Sequence, residues 1–172
     1  DVAMGATKAN SAIVHGGFDA KEGSLKALLN VRGCKMMASV CKELGVSYKN
    51  NGSLVVGFND EDRATLNDLL KRGNTNGVEN LRILEKDELR ELEPNLSDNV
   101  ICALYAPTAG IVCPSTLAIS AIGNAMDNGA ELIRNFEVKA IEKIADGYKV
   151  SSGEDEIETK YVVNAAGVYS DA

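Results

Sequence analysis

From Ser24 onward the apolar residues fall into a helical period. Leu25, Leu28, Leu29, Met36, Val40 and Leu44 recur every three or four positions, with Arg32 in the same series. Ser24 can cap the start and Gly45 can stop the end, so a long amphipathic helix is expected here. Gly52 opens a β-branched and apolar run, Ser53 to Phe58, which reads as a strand. Asp60 is expected to cap a second helix through Arg72, with Leu66, Leu69 and Leu70 inward and Gly73 at its end. Leu81 to Leu84 reads as a short strand, and Lys86 to Leu92 as a charged helix closed by Pro94. Asn99 to Ala106 is a further expected strand.

Pro114 and Ser115 start a third long helix, with Leu117, Ala118, Ala121, Ile122, Ala125 and Met126 inward and Gly129 ending it. Strands are then expected around Leu132 to Arg134 and over Val138 to Ile144, Tyr148 to Ser151 and Glu156 to Val163. Asp146-Gly147 makes a hairpin turn between the middle two. Before all of this, Asp1 to Gly23 is rich in Gly, Ala, Ser and Asn, with one short apolar run, Ala12 to Val14. It reads as an extended loop, the kind of segment that lines sites. Helices and strands follow one another without a regular βαβ alternation. The fold class expected is α+β: a mainly antiparallel sheet covered by helices.

Composition narrows the function classes. The net charge is −7 with a pI near 4.8, which argues against nucleic acid as a partner. No apolar run approaches the roughly 20 residues needed to span a bilayer, and the N-terminus lacks the basic and apolar regions of a signal peptide. Cys34, Cys41, Cys102 and Cys113 show no CxxC spacing, and the single His15 cannot complete a zinc site with them. No metal is expected, and the cysteines read as buried or half-buried free thiols of a reducing cytoplasm.

Two segments carry candidate chemistry. Gly5-Ala6-Thr7-Lys8-Ala9-Asn10-Ser11 leads through Ala12-Ile13-Val14 into His15-Gly16-Gly17. Small residues let backbone approach a ligand, and their N–H groups can take phosphate oxygens. A histidine between an apolar run and two glycines can exchange a proton near neutral pH. The plain reading is a glycine-rich surface loop with an exposed histidine. At the far end, Val162-Val163 runs into Asn164-Ala165-Ala166-Gly167, a tight turn after an apolar segment. Elsewhere, Glu85 to Glu93 reads as a solvated helix face and Met36-Met37 as core packing. Tyr105 reads as a core or rim residue, and Lys21, Lys26 and Arg32 do not cluster into an anion site.

Taken together, these motifs resemble the FAD-dependent oxidoreductases of the D-amino-acid-oxidase superfamily, in the glycerol-3-phosphate dehydrogenase branch, with the L-2-hydroxyglutarate oxidases beside it. Gly5, Ala6, Thr7, Ser11, His15 and Gly17 match that family's loop and its Ser-x-x-x-His-x-Gly segment. Leu89 to Leu96 resembles its Leu-x-x-x-Glu-Pro-x-Leu stretch, Ala109 to Pro114 its Gly-x-x-x-Pro turn, and Asn164 to Gly167 its Asn-Ala-Ala-Gly motif.

The resemblance implies FAD along Ala6, Thr7, Lys8, Ser11, Gly16 and Gly17, with Val138 at the adenine edge and Ala165, Ala166 and Gly167 near the phosphates. It implies His15 as the catalytic base. It implies oxidation of sn-glycerol 3-phosphate, with L-2-hydroxyglutarate or an amino acid as alternative substrate and a non-enzymatic α+β binding module as the rival of another class. A hydroxy-acid or polyol-phosphate substrate and an electron acceptor such as a quinone are the expected partners. The expected location is cytoplasmic, with peripheral association at the inner face of a membrane.

No GxGxxG occurs. The chain is therefore expected to be an internal piece, with flanking segments of a truncated FAD-binding α/β domain, that needs further parts of the same polypeptide to hold FAD. The division expected is 1–45 as a partial FAD-binding segment with the long helix, 46–114 as a substrate domain, and 115–172 as further FAD-binding segments.

Overall fold

A computed structural model describes residues 2–171. The chain divides into two compact units, Asp1–Ala130 and Glu131–Ala172, each described by itself. The helix of Pro114–Asp127 groups with the first of them.

In the first unit the elements run β1 (Ile13–Val14), α1 (Leu25–Glu43), β2 (Tyr48–Lys49), β3 (Ser53–Gly57), α2 (Asp60–Asn76), β4 (Arg82–Glu85), α3 (Lys86–Leu92), β5 (Cys102–Ala106), β6 (Gly110–Val112) and α4 (Pro114–Asp127). They form two antiparallel sheets, ordered β3-β5-β4 and β1-β6-β2. The architecture is α+β.

The strand β5 reads Cys-Ala-Leu-Tyr-Ala without a polar break because both its faces are covered. Cys102, Leu104 and Ala106 pack with Phe18, Leu66, Val78 and Leu81, while Ala103 packs with Leu84, Leu89 and Val100. A third cluster, Val14, Cys34, Cys41, Val46 and Val112, lies between α1 and the sheet of β1, β6 and β2.

Five local expectations are corrected. Asn59, not Asp60, caps α2: its side chain accepts Asp62 N–H at 2.8 Å, and Asp60, Glu61 and Asp62 fill the first turn. The helix also runs past Gly73 to Asn76, and the left-handed stop is Gly77 at φ 83°. Gly73 is inside the helix for a packing reason. A Cβ there would come 2.3 Å from Leu81 Cδ2 and 2.8 Å from Phe18 Cβ.

The buried face of α1 is Ala27, Cys34 and Cys41, whereas Leu25, Leu28 and Leu29 are 73%, 63% and 58% exposed. The helix carries two apolar stripes, and the one made of small residues packs inward. No residue of α4 is fully buried, with Met126 exposed and Ala121 open, although Leu117 packs on the third cluster. Finally, β1 and β6 are strands where a loop and a turn were expected, each only two or three residues long.

The second unit is an antiparallel meander, β7 (Ala140–Ile144), β8 (Gly147–Ser151) and β9 (Glu156–Thr159). Ala145 and Asp146 make the two-residue turn, and Gly147 follows at φ 138°. Three further expectations are corrected here. Leu132 to Arg134 is irregular, β7 starts at Ala140 rather than Val138, and β9 stops at Thr159. Beyond it Tyr161 and Val163 are 83% and 87% exposed, so their apolar pattern has no partner strand among the described residues.

Candidate functional site

The stretch from Val2 to Ala12 contains no carboxylate. Its centre, Ala6–Lys8, is one 3-10 turn, closed by Lys8 N–H to Gly5 O at 3.2 Å and Ala9 N–H to Ala6 O at 3.1 Å. Asn10 ties off the carbonyl end: Nδ2 donates to Ala6 O at 3.1 Å and Thr7 O at 2.8 Å, and Oδ1 accepts Ala12 N–H at 2.9 Å. At the other end, the amides of Ala6 and Thr7 have no partner among the described residues. Ala6, Thr7, Lys8 and Ser11 are all exposed.

From there the chain enters β1 with an alternation of open and buried positions. Ser11, Ile13 and His15 face out, while Val14 and Gly16 are buried. Val112 N–H donates to Ala12 O at 3.0 Å, and Ile13 lies opposite Ile111, which lies opposite Lys49. Directly paired residues share a face. The open face of this small sheet therefore carries Ile13, Ile111 and Lys49 in one row, flanked on β1 by Ser11 and His15.

Of the two glycines after His15, Gly17 is demanded by the protein itself, while Gly16 is only closely packed. A Cβ on Gly17, whose φ is 97°, would sit 2.6 Å from Val31 Cγ2 and 2.8 Å from the buried Asn30 Oδ1. One on Gly16 would touch Ala106 Cβ at 3.4 Å. At Gly5, by contrast, the space is open.

Sequence reasoning missed one member of this face. Cys113 follows Ile111 by two residues, at the N-cap of α4, and is exposed rather than buried. The Thr116 side chain, then the backbone N–H groups of Thr116 and Ser115, hold its thiol below the ordinary value. A Cys directly before Pro at the first helical position is the local signal that could have placed it there. Cys34, Cys41 and Cys102 are buried, and burial pushes each thiol up.

The remaining candidates lie in the second unit. Val138 is 51% exposed, one residue before Lys139, whose N–H donates to Ser151 O at 2.8 Å. Asn164 Oδ1 accepts Ala166 N–H at 3.1 Å, and its Nδ2 donates to Ser170 O at 2.7 Å. This Asx turn leads into a 3-10 turn at Gly167–Tyr169, with Gly167 at φ 62°. Ala165, Ala166 and Gly167 are exposed.

The segment from Gly5 to Gly17 thus carries two open amides, a lysine and, further along, an outward histidine on an α+β scaffold. The chain belongs to the DAO family of FAD dependent oxidoreductases, whose family model matches residues 1–172. It is 47% identical over 171 residues to a glycerol 3-phosphate dehydrogenase of Caloramator mitchellensis, across 99% of this chain and 36% of that protein. Human mitochondrial L-2-hydroxyglutarate dehydrogenase is 35% identical over 184 residues, across 99% of this chain and 39% of that protein. Among solved structures, the dithionite-reduced L-alpha-glycerophosphate oxidase of Mycoplasma pneumoniae with FAD bound aligns at a TM-score of 0.76 and 29% identity, over 84% of this chain and 38% of that one. The chain thus spans less than half the length of these relatives.

The donor set fits FAD, the family's cofactor. Amides at Ala6 and Thr7 without a partner among the described residues, hydroxyls at Thr7 and Ser11, and the Lys8 ammonium, with no acid in the segment, suit a pyrophosphate.

Proposed function

We propose that the chain is part of an FAD-dependent dehydrogenase that oxidises sn-glycerol 3-phosphate to dihydroxyacetone phosphate. The observation that carries this reading is the 47% identity to a glycerol 3-phosphate dehydrogenase along nearly the whole chain. A second substrate, L-2-hydroxyglutarate, is favoured by relatives of that name at 35% identity over the same span.

Bound FAD would supply the hydride acceptor. Everything else falls to the protein. Ala6, Thr7, Lys8 and Ser11 would hold the pyrophosphate end through their open amides, hydroxyls and ammonium. His15, exposed beside Ile13 and followed by two packed glycines, takes the proton of the substrate hydroxyl at its imidazole nitrogen. Ile13 and Ile111 make the same face apolar beside it. In the intact flavoprotein Val138 would present its backbone to the adenine edge, and Ala165, Ala166 and Gly167 would offer a close backbone approach to the phosphates and ribityl chain. A carrier such as a quinone, at the cytoplasmic face of a membrane, would be the electron acceptor.

The 172-residue chain alone is expected to be inactive and to show no flavin binding at tens of micromolar by fluorescence titration. Tight stoichiometric binding would mean that the cradle is more complete than its motifs imply. In the FAD-loaded full-length enzyme, kcat/KM for glycerol 3-phosphate is expected to exceed that for L-2-hydroxyglutarate, and the reverse order would select the second reading.

A further inference from the structure

We propose that Asn76, at the end of α2, is a positioning residue for His15, an inference that rests on the reading of His15 as the proton acceptor. The ring of His15 is exposed and makes no hydrogen bond with the described residues. Its placement is therefore inherited from the backbone around it. On the N-terminal side that backbone is pinned to β6. On the C-terminal side it leaves the sheet at Gly16 and is caught by α2.

Asn76 Nδ2 donates to Gly17 O at 3.1 Å and to Ala20 O at 2.8 Å, using both amide protons. One turn earlier, Arg72 Nη1 donates to Asp19 O at 3.2 Å. Between these bonds Phe18 is buried against Gly73, where even a methyl group would meet Phe18 Cβ at 2.8 Å and Phe18 Cα at 3.2 Å. Four consecutive residues, Gly17 to Ala20, are thus fastened to a single helical turn.

The Asn76 bonds are part-buried, while the Arg72 bond is exposed to water, so Asn76 carries most of the restraint. With no Cβ and a φ of 97°, Gly17 is a natural pivot, and the bond from Asn76 to its carbonyl is what holds it. Releasing its carbonyl therefore lets the chain pivot at Gly16 and Gly17, and His15 moves with it. A displacement of about 1 Å at a reacting group can cost on the order of a hundredfold in rate.

A single histidine makes the test direct, because the Cε1–H resonance of the 172-residue chain belongs to His15 alone. Asn76→Ala and Asn76→Asp are compared with Asn67→Ala, a control whose amide bonds only to Arg63 O within its own helix. In both Asn76 variants the His15 signal is expected to shift and broaden or split, while the amides of β3, β5 and β4 keep their positions. Asn67→Ala is expected to leave it unchanged.

In the FAD-loaded full-length enzyme the Asn76 variants are expected to lose about tenfold in kcat with KM within about twofold. An unchanged His15 signal in folded Asn76→Ala would overturn the proposal. So would loss of the β5 amides in both Asn76 variants, which would make the residue a part of the fold rather than of the site. If His15→Asn retains kcat, the proton-acceptor reading fails, and the spectra of the Asn76 variants still report separately whether the clamp sets the histidine.

Discussion

Two three-stranded antiparallel sheets in this chain are built on opposite principles. In the sheet β3-β5-β4 the central strand is Cys102–Ala106, of which Cys102, Ala103, Leu104 and Ala106 are wholly buried. In the sheet β7-β8-β9 the central strand is Gly147–Ser151, and none of its residues is fully buried. The second strand alternates. Lys149 sits between Glu142 at 3.6 Å and Glu156 at 3.2 Å on one face, and Val150 between Ile141 and Ile157 on the other. One sheet is held by burial on two faces, the other by its ladder, its turn and cross-strand pairs. A three-stranded sheet of the second kind rests on a single apolar face.

The sharpest way to break this comparison is to shorten one central side chain in each sheet. Leu104→Ala is expected to cost about 4 kcal/mol, the usual range for a buried leucine. Val150→Ala removes one cross-strand pair on a half-open face and is expected to cost less than about 1 kcal/mol. Urea unfolding followed separately through β5 and β8 amides measures both. Equal losses would mean that the meander has a core of its own.

A smaller effect separates packing from propensity inside the first unit. Glycine to alanine in a helix gains about 1 kcal/mol where the new methyl meets nothing. Gly33 in α1 is such a place, with no atom within 4 Å of the added carbon, so Gly33→Ala is expected to stabilise. At Gly73 the same methyl comes 2.3 Å from Leu81 Cδ2, and overpacking of about 1 to 3 kcal/mol outweighs the gain. Gly73→Ala is expected to lower the melting temperature and Gly33→Ala to raise it. Shifts of the same sign would discount the crowding around Phe18.

The four thiols extend the contrast between core and open face. Alkylation with iodoacetamide, read by peptide mass, is expected to reach Cys113 first and at a pH below that of an ordinary cysteine. Its thiolate is stabilised by Thr116 and it is exposed. Cys34, Cys41 and Cys102, raised by burial, are expected to stay unmodified until the unit unfolds. Thr116→Val should move the Cys113 profile toward higher pH. Modification of Cys34 in step with Cys113 would show that the α1 face opens in the native state.

What the sequence made legible follows the same line. The helix α3, the strand β3, the start of α4 and the turn at Asp146 carry local signals: caps, prolines and short apolar runs, all settled within a few residues. The turn at Ala6–Lys8 and the outward His15 were legible as composition. The strands β1, β2 and β6 were not, because two or three residues are too few to show a period. Which stripe of α1 faces inward was also hidden, since Leu25, Leu28 and Leu29 outweigh Ala27, Cys34 and Cys41 in hydrophobicity, and only the close approach of the sheet selects the small ones. The bonds from Asn76 to Gly17 and Ala20 span 59 and 56 positions and leave no local trace. Ending α2 at Gly73 concealed the very residue that makes them.

Ion pairs give the smallest effect and separate the two sheets along the pH scale. Glu85, at the end of β4, accepts hydrogen bonds from Arg63 at 2.6 and 2.9 Å, and this holds its carboxyl below the usual range. A carboxyl lowered in the folded state contributes stability that is complete above its unfolded value, near 4.3, and is lost as pH falls through the lower folded one. In β8, Glu156 and then Glu142 hold the Lys149 ammonium above its ordinary value. That contribution is complete below the unfolded value, near 10.4, and is lost as pH rises through the raised one. Acid should therefore weaken the first sheet's pair and alkali the second sheet's. Both groups are open enough to water that the losses are small and shrink further in high salt. Arg63→Gln is expected to flatten the acid limb of the melting temperature read from β5 amides, and Lys149→Gln the alkaline limb read from β8 amides. Curves that superimpose on the parent at both ends would leave burial alone as the difference between the two sheets.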